Sequence, residues 1–199
     1  MKVASYLREQ TQQLHRQTEA LAGGSALVEG RFSVNRYREL IQRNEFLHRQ
    51  LEPLFLELLS AEELSEFRPF LHLRLPALQA DLELVAATPY PYPLVPPQLE
   101  NAPQTLGGLY VLLGSHLGGR VIHKALKKNT QLREIPDFHF FAAGKSFPSR
   151  EWPQFCRLLD QYVVTEEEMK AAAEGARVVF RFFHAVYAAD SGRPAGLKN

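Results

Sequence analysis

The stretch Leu106–His123, LGGLYVLLGSHLGGRVIH, limits most sharply what this chain can fold into, because it combines a helix's apolar content with glycines at Gly107, Gly108, Gly114, Gly118 and Gly119. A glycine inside a helix costs roughly 0.8–1 kcal/mol relative to alanine, so several together predict a bend, or a backbone surface left bare for something to approach closely. At about 100° per residue, Gly107, Gly114, Ser115 and Gly118 share one face with Val111 and Ile122. Two readings of that strip stay open here: a neighbouring helix packed very close, or a flat ligand laid against the backbone.

With 199 residues, 45% of them hydrophobic, the chain is sized for one domain with a single core, expected over 1–190 and followed by a polar tail at 191–199. Lys and Arg total 23 against 22 for Asp and Glu, a net charge of +1, which gives no electrostatic footprint for nucleic acid or an anionic membrane. Nor does that balance offer a readable docking patch for a protein partner. The single cysteine, Cys156, excludes an internal disulfide and every Cys-based zinc or iron–sulfur pattern. Neither a signal peptide nor an apolar run long enough to span a bilayer is present, so a cytoplasmic protein is expected.

Taken in order, the chain reads as helices throughout. Val3, Leu7, Leu14 and Leu21 form a stripe on a first helix that Gly23 and Gly24 end. On its flank lie Ala4, Thr11, His15 and Ala22, with Arg8 and Glu19 at the edge; Glu19, four residues after His15, can orient the imidazole. Ser33 caps a long helix to about Leu59 with Tyr37, Leu40, Ile41, Leu47, Leu51, Leu54, Phe55 and Leu58 inward. Ser60 with Glu63 forms a capping-box pattern opening a segment broken by Pro69 and Pro76. The run TPYPYPLVPP at 88–97 is an ordered extended crossing. Asp137–Lys145 is a phenylalanine-rich loop or short turn, Ser149 caps the helix carrying Trp152 and Phe155, and Thr165 with Glu168 opens a final helix to about Ala189. The fold class is an all-α, single-domain multihelical bundle.

Most chemistry candidates fall away. A di-iron carboxylate bundle needs two Glu-x-x-His pairs, and only Glu45–His48 has that spacing. There is no GxSxG and no strand-to-helix elbow for a nucleophile, and Cys156 reads as an inert helical cysteine. His116 and His123 share a face roughly opposite the glycine strip and read as surface or inter-helix residues; His72, His139 and His184 show no metal spacing. What remains is His15 with its carboxylate and the bare glycine helix. Together they describe a slot for a planar cofactor, ligated on one face by His15 and covered on the other by glycine backbone.

The run LREQTQQLHRQTEAL, with T-x3-H-x3-E at Thr11, His15 and Glu19, resembles the proximal helix of the heme oxygenases. The run LYVLLGSHLGGRVI resembles their distal helix, with G-x3-GG at Gly114, Gly118 and Gly119; weaker similarity extends over about 7–183. The phrase YVL-x-GS-x-LGG is closest to bacterial members, including those that supply bilin to bacterial phytochromes. The resemblance implies a heme slot between the first helix and the kinked glycine-rich helix. It implies His15 as iron ligand, Glu19 as its partner, and Thr11 and Arg8 toward the cofactor, Arg8 for a propionate. Gly114, Gly118 and Gly119 become the bend against the porphyrin, and Gly114 with Ser115 the site of proton delivery. Ser115 stands where mammalian-type members carry aspartate, and Leu113 where bacterial members often have an acid; Arg157 and Arg177 are further propionate candidates.

The activity so implied is oxidative opening of heme to biliverdin, CO and iron, using O₂ and electrons from a reductase or ferredoxin-type donor, with a bilin-accepting phytochrome as a further partner. Two alternatives stay beside it: a non-catalytic heme carrier or sensor, suggested by the missing acid at Ser115, and a non-heme metal oxidase of the same fold, suggested by Glu45 and His48.

Overall fold

Backbone contact between two helices near the C-terminal half sets the frame of the molecule. In the computed structural model, which describes residues 2–143 and 147–189 (side chains of 147–150 excepted), the regular structure is helical. The elements run α1 (Val3–Leu21), α2 (Gly24–Val28), α3 (Val34–Leu58), a 3₁₀ segment (Glu62–Phe70), α4 (Leu75–Leu84), α5 (Ala102–Gly114), α6 (Gly119–Lys128), a 3₁₀ turn (Thr130–Leu132), α7 (His139–Ala143), α8 (Phe147–Tyr162) and α9 (Glu166–Ala188). A Cβ on Gly107 would lie 1.8 Å from the Ala172 carbonyl oxygen, and one on Gly175 would lie 2.0 Å from that of Gln104. Only glycine lets α5 and α9 approach so closely.

The helix-packing reading of the glycine strip therefore holds for its first half. Beyond Gly114 the strip is no longer one helix: α5 stops, residues 115–118 form turns, and α6 begins at Gly119. A Cβ on Gly114 would meet Trp152 Cη2 and one on Gly118 Ile122 Cδ1, each at 3.6 Å, so a methyl there would make only ordinary contacts. Close packing and ordinary contact are thus divided along one strip.

α1 buries a stripe rotated from the one its leucines suggest. Val3, Leu7, Thr11 and Thr18 are buried while Leu21 is 40% exposed. The two threonines tolerate burial because their hydroxyls donate to the carbonyls of Leu7 (2.7 Å) and Leu14 (2.8 Å) one turn back. Gly23, at φ 73°, takes the left-handed turn that ends the helix. Ser33 caps α3 by accepting from the Arg36 N–H, and α3 runs through Pro53 with Leu54 and Leu58 only half-buried. The Ser60–Glu63 capping box does not form. Ser60 Oγ donates to the Glu57 carbonyl and the next segment is 3₁₀, preceded by Ala61.

Residues 88–97 cross without regular structure, turning at Tyr92, whose N–H donates to the Tyr90 carbonyl and whose carbonyl accepts from the Leu94 N–H, and they bury Tyr92 against Phe46, ring centroids 5.1 Å apart. The capping box of α9 is present in both directions, Glu168 N–H to Thr165 Oγ1 and Thr165 N–H to Glu168 Oε2. The phenylalanine run forms the short helix α7 up to Ala143, and Lys145 lies outside the described residues, as does the 191–199 tail. α8 begins at Phe147, so Ser149 falls inside the helix and not at its cap.

Candidate functional site

α1 and the α5–α6 turn face each other across a cavity of about 870 Å³, floored by α9 and walled by α7 and Trp152. That volume suits a ligand of cofactor size. From α1 the lining takes Arg8, Thr11, His15 and Glu19; from the turn it takes Gly114, Ser115 and Gly118. Residues distant in sequence, which the T-x3-H-x3-E and G-x3-GG patterns singled out, thus share one cavity. Gly119 does not line it: it is buried as the first residue of α6, at the turn. Arg177 binds Glu174 and Gln10, and Arg157 borders a separate shallow depression beside Glu66 and Phe70, so neither reaches the cavity.

His15 Nδ1 lies 3.4 Å from Glu19 Oε2, both side chains more than half exposed. Nδ1 thus faces the carboxylate, and Nε2 is the ring nitrogen turned away from it. The ring is met edge-on by Phe180, centroids 5.7 Å apart, so its orientation is held from α9 as well. On the opposite wall Ser115 Oγ donates to the Leu112 carbonyl at 2.7 Å. Its proton is committed to the helix end and its lone pairs remain as acceptors. The Gly114 carbonyl accepts from the Leu117 N–H of the turn at 3.1 Å.

Side chains that periodicity alone did not single out complete the walls. Tyr110 packs on Trp152 with centroids 5.4 Å apart, and burial pushes its phenol pKa up. Tyr187 donates to Asn44 Oδ1 at 3.2 Å, its own pKa pushed up to about 12 by burial. Phe140, Phe141 and Phe183 add apolar surface, and Arg16, held by Gln12 Oε1 at 3.0 Å, adds a second cation near His15. Arg16 was visible at helical spacing from Arg8, two turns along.

The Glu45–His48 pair points elsewhere. Glu45 accepts from Arg49 Nε at 2.9 Å, while His48 Nδ1 meets Glu52 Oε1 at 2.8 Å, and that same oxygen accepts from the backbone N–H groups of Arg74 and Leu75. The two side chains are thus held apart by separate partners, and among the described residues no three His, Cys, Asp or Glu side chains converge as a metal site. His116 is buried between helices, stacked on His48. Burial also raises the Cys156 thiol to about 11, which keeps it protonated and inert at neutral pH.

An all-α bundle with one imidazole facing a side-chain-poor turn across a large, mostly apolar cavity has the frame of a porphyrin-binding protein. The heme oxygenase family model matches residues 1–189. A heme oxygenase of Xanthomonas campestris pv. campestris is 30% identical over 173 residues, covering 83% of this chain and 97% of that protein. The crystal structures of the NO- and CO-bound heme oxygenase from Neisseria meningitidis share the fold, with a TM-score of 0.67 at 23% identity over 100% of both chains. The chain belongs to the heme oxygenase family, the oxygenases that degrade heme. No helix among the described residues is long and apolar enough to cross a membrane.

Proposed function

We propose that this chain binds heme between α1 and the α5–α6 turn and opens the ring to biliverdin, CO and iron. The observation that carries the reading is the placement of His15 and the Gly114–Gly118 turn on one cavity. The residues fit the group: a single imidazole on one wall, and on the other a backbone whose glycines line the cavity with no side chain of their own. Bound heme supplies the iron at which O₂ is activated, and the electrons come from an external reductase or ferredoxin-type donor.

His15 would hold the iron through its imidazole, and Glu19, whose Oε2 lies 3.4 Å from Nδ1, would orient the ring and raise its basicity. Thr11, tied to Leu7, keeps the wall beside His15 flat, and Arg8 pairs with a propionate at the mouth. Gly114 and Gly118 let the turn approach the porphyrin face, while Gly119 serves the turn from behind. Ser115 Oγ and the Gly114 carbonyl act as acceptors that hold an ordered water, which passes protons inward; the aromatic walls keep bulk water out. The reaction takes place in the cytoplasm.

The deciding experiment adds stoichiometric heme, then ascorbate in air with catalase present. Loss of the Soret band with bilin absorbance rising in the red supports ring opening. A stable spectrum would instead favour the heme carrier or sensor, and no heme binding near micromolar the non-heme oxidase. His15→Ala is expected to lose the spectrum of a His-ligated ferric complex while the protein stays folded, because the side chain is 54% exposed; an unchanged spectrum removes His15 as ligand.

A further inference from the structure

The helix α6 breaks the charge pattern of the rest of the molecule. Its sequence GRVIHKALKK holds Arg120, Lys124, Lys127 and Lys128 and no acidic residue. Arg120, Lys124 and Lys128 recur every four residues, so they lie along one stripe of the helix, and all three are exposed. None of the three makes an ion pair among the described residues, whereas Lys127 turns aside to Asp137 Oδ1 at 3.1 Å and the Pro136 carbonyl at 2.8 Å. Several exposed cations elsewhere are answered locally, as Arg31 is by Glu29, Lys170 by Glu166, and Arg181 by Glu174, but nowhere else among the described residues does one helix line up three that are not. Like charges one turn apart work against a helix, and of the three only Lys128, in the last turn, is favoured by the helix dipole.

Two further observations give the stripe a use. Val121, at its edge, is 61% exposed, an apolar side chain set among cations as at the centre of a polar-rimmed interface. The other side of the same helix supplies Ile122, which with Gly118 just before it lines the cavity opposite His15. A protein seated on the outer face would therefore be separated from the cavity by one helix, about 10 Å across. The stripe itself is only about 12 Å long, eight steps of 1.5 Å, too short to follow a nucleic-acid backbone but sufficient for one acidic patch.

We propose that the outer face of α6, through Arg120, Lys124, Lys128 and Val121, is the docking surface for an acidic one-electron carrier protein. This rests on the reading that the cavity holds heme. In each encounter the carrier loses one electron and the ferric iron in the cavity gains it, becoming ferrous. Charge complementarity steers the approach and sets the register; Val121 supplies the desolvated contact.

The probe is an acidic plant-type [2Fe–2S] ferredoxin, kept reduced by NADPH and its reductase, with ascorbate as a donor that needs no docking. In the heme-loaded protein, R120E/K124E/K128E is expected to slow ferredoxin-driven ring opening at least tenfold at low salt and to flatten its dependence on salt. The ascorbate-driven rate should stay within twofold. Single neutral variants R120Q, K124Q and K128Q should each give a smaller part of the loss, and circular dichroism melts should show no loss of fold, since repulsion is being removed. An NMR titration of the ¹⁵N-labelled chain with oxidised ferredoxin should move α6 amides in the wild type and not in the triple variant. Equal slowing with both donors, ferredoxin-driven rates unchanged by the substitutions, or amide shifts confined to other helices would overturn the proposal. So would α6 shifts induced by anionic vesicles or a DNA duplex but not by the ferredoxin. If ascorbate opens no ring in the wild type, the heme reading fails separately, and the amide footprint still decides the docking surface.

Discussion

The His116 imidazole lies nearly flat on that of His48, ring centroids 5.6 Å apart and planes 16° apart, joining the α5–α6 turn to α3 directly behind Ser115. Burial, with the neighbouring charges of His48, Arg74 and His72, holds the His116 pKa well below the usual imidazole value of 6.5. The native state keeps this ring neutral while the unfolded chain protonates it below pH 6.5. Stability contributed by the neutral ring is therefore present above pH 6.5 and lost as pH falls below it, at up to about 1.4 kcal/mol per pH unit. Urea unfolding from pH 8 to 5 is expected to show a shallower acid-side decline in His116→Gln than in the wild type. Parallel declines would remove His116 as the source.

The glycine strip yields a contrast between neighbouring substitutions. Gly107→Ala forces a methyl into the Ala172 carbonyl and should cost about 1–3 kcal/mol or more, lowering the melting temperature by about 2–4 °C for each kcal/mol. Gly114→Ala meets only Trp152 Cη2 at 3.6 Å, an ordinary contact, and should leave the melt nearly unchanged while altering the ferric heme spectrum. If both substitutions destabilise equally, the division of the strip into packing and lining halves is wrong.

Two local signals were readable. The α9 capping box and the His15–Glu19 pair are separated by three and four residues, and both are present in the structure. Long-range partners were not readable. Which half of the glycine strip meets a helix depends on Gly175 and Ala172, some 65 residues away by the numbering, and no periodicity in 106–123 announces them. The inward stripe of α1 was misplaced because Thr11 and Thr18 count as polar, although each satisfies its hydroxyl on its own helix before burial. Ser60 and Glu63 have the spacing of a capping box, but Ser60 closes the previous helix instead. The α6 cations are a local pattern that the chain-wide balance of 23 against 22 averages away.

The two cations lining the α1 side of the cavity should separate from the α9 cations in binding. Arg8→Leu and Arg16→Leu are each expected to weaken ferric heme affinity about two- to tenfold, the range of an exposed charge pair, and more so at low salt. Arg177→Leu should leave affinity unchanged, because its guanidinium is engaged by Glu174 and Gln10 outside the cavity. Spectrophotometric heme titrations at two salt concentrations test this; an affinity loss in Arg177→Leu matching Arg8→Leu would place a propionate on α9.

Asp81 is the buried tether of the cavity's aromatic wall. It is fully buried on α4, and its carboxylate accepts from the backbone N–H groups of His139 at 2.8 Å and Phe140 at 2.9 Å, the start of α7. Burial pushes its pKa up despite those two donors, so the carboxylate depends on α7 to remain satisfied without water. Asp81→Leu removes both acceptors and leaves two buried N–H groups unpaired, at about 1–3 kcal/mol each. Asp81→Asn keeps one carbonyl acceptor but turns an amide NH₂ toward the second N–H, so it should be milder. Phe140 and Phe141 hang from that helix and line the cavity, so heme affinity should fall in the same order as the melting temperature, Leu further than Asn. A melt that drops with no change in heme affinity would show that the wall holds its shape without the tether.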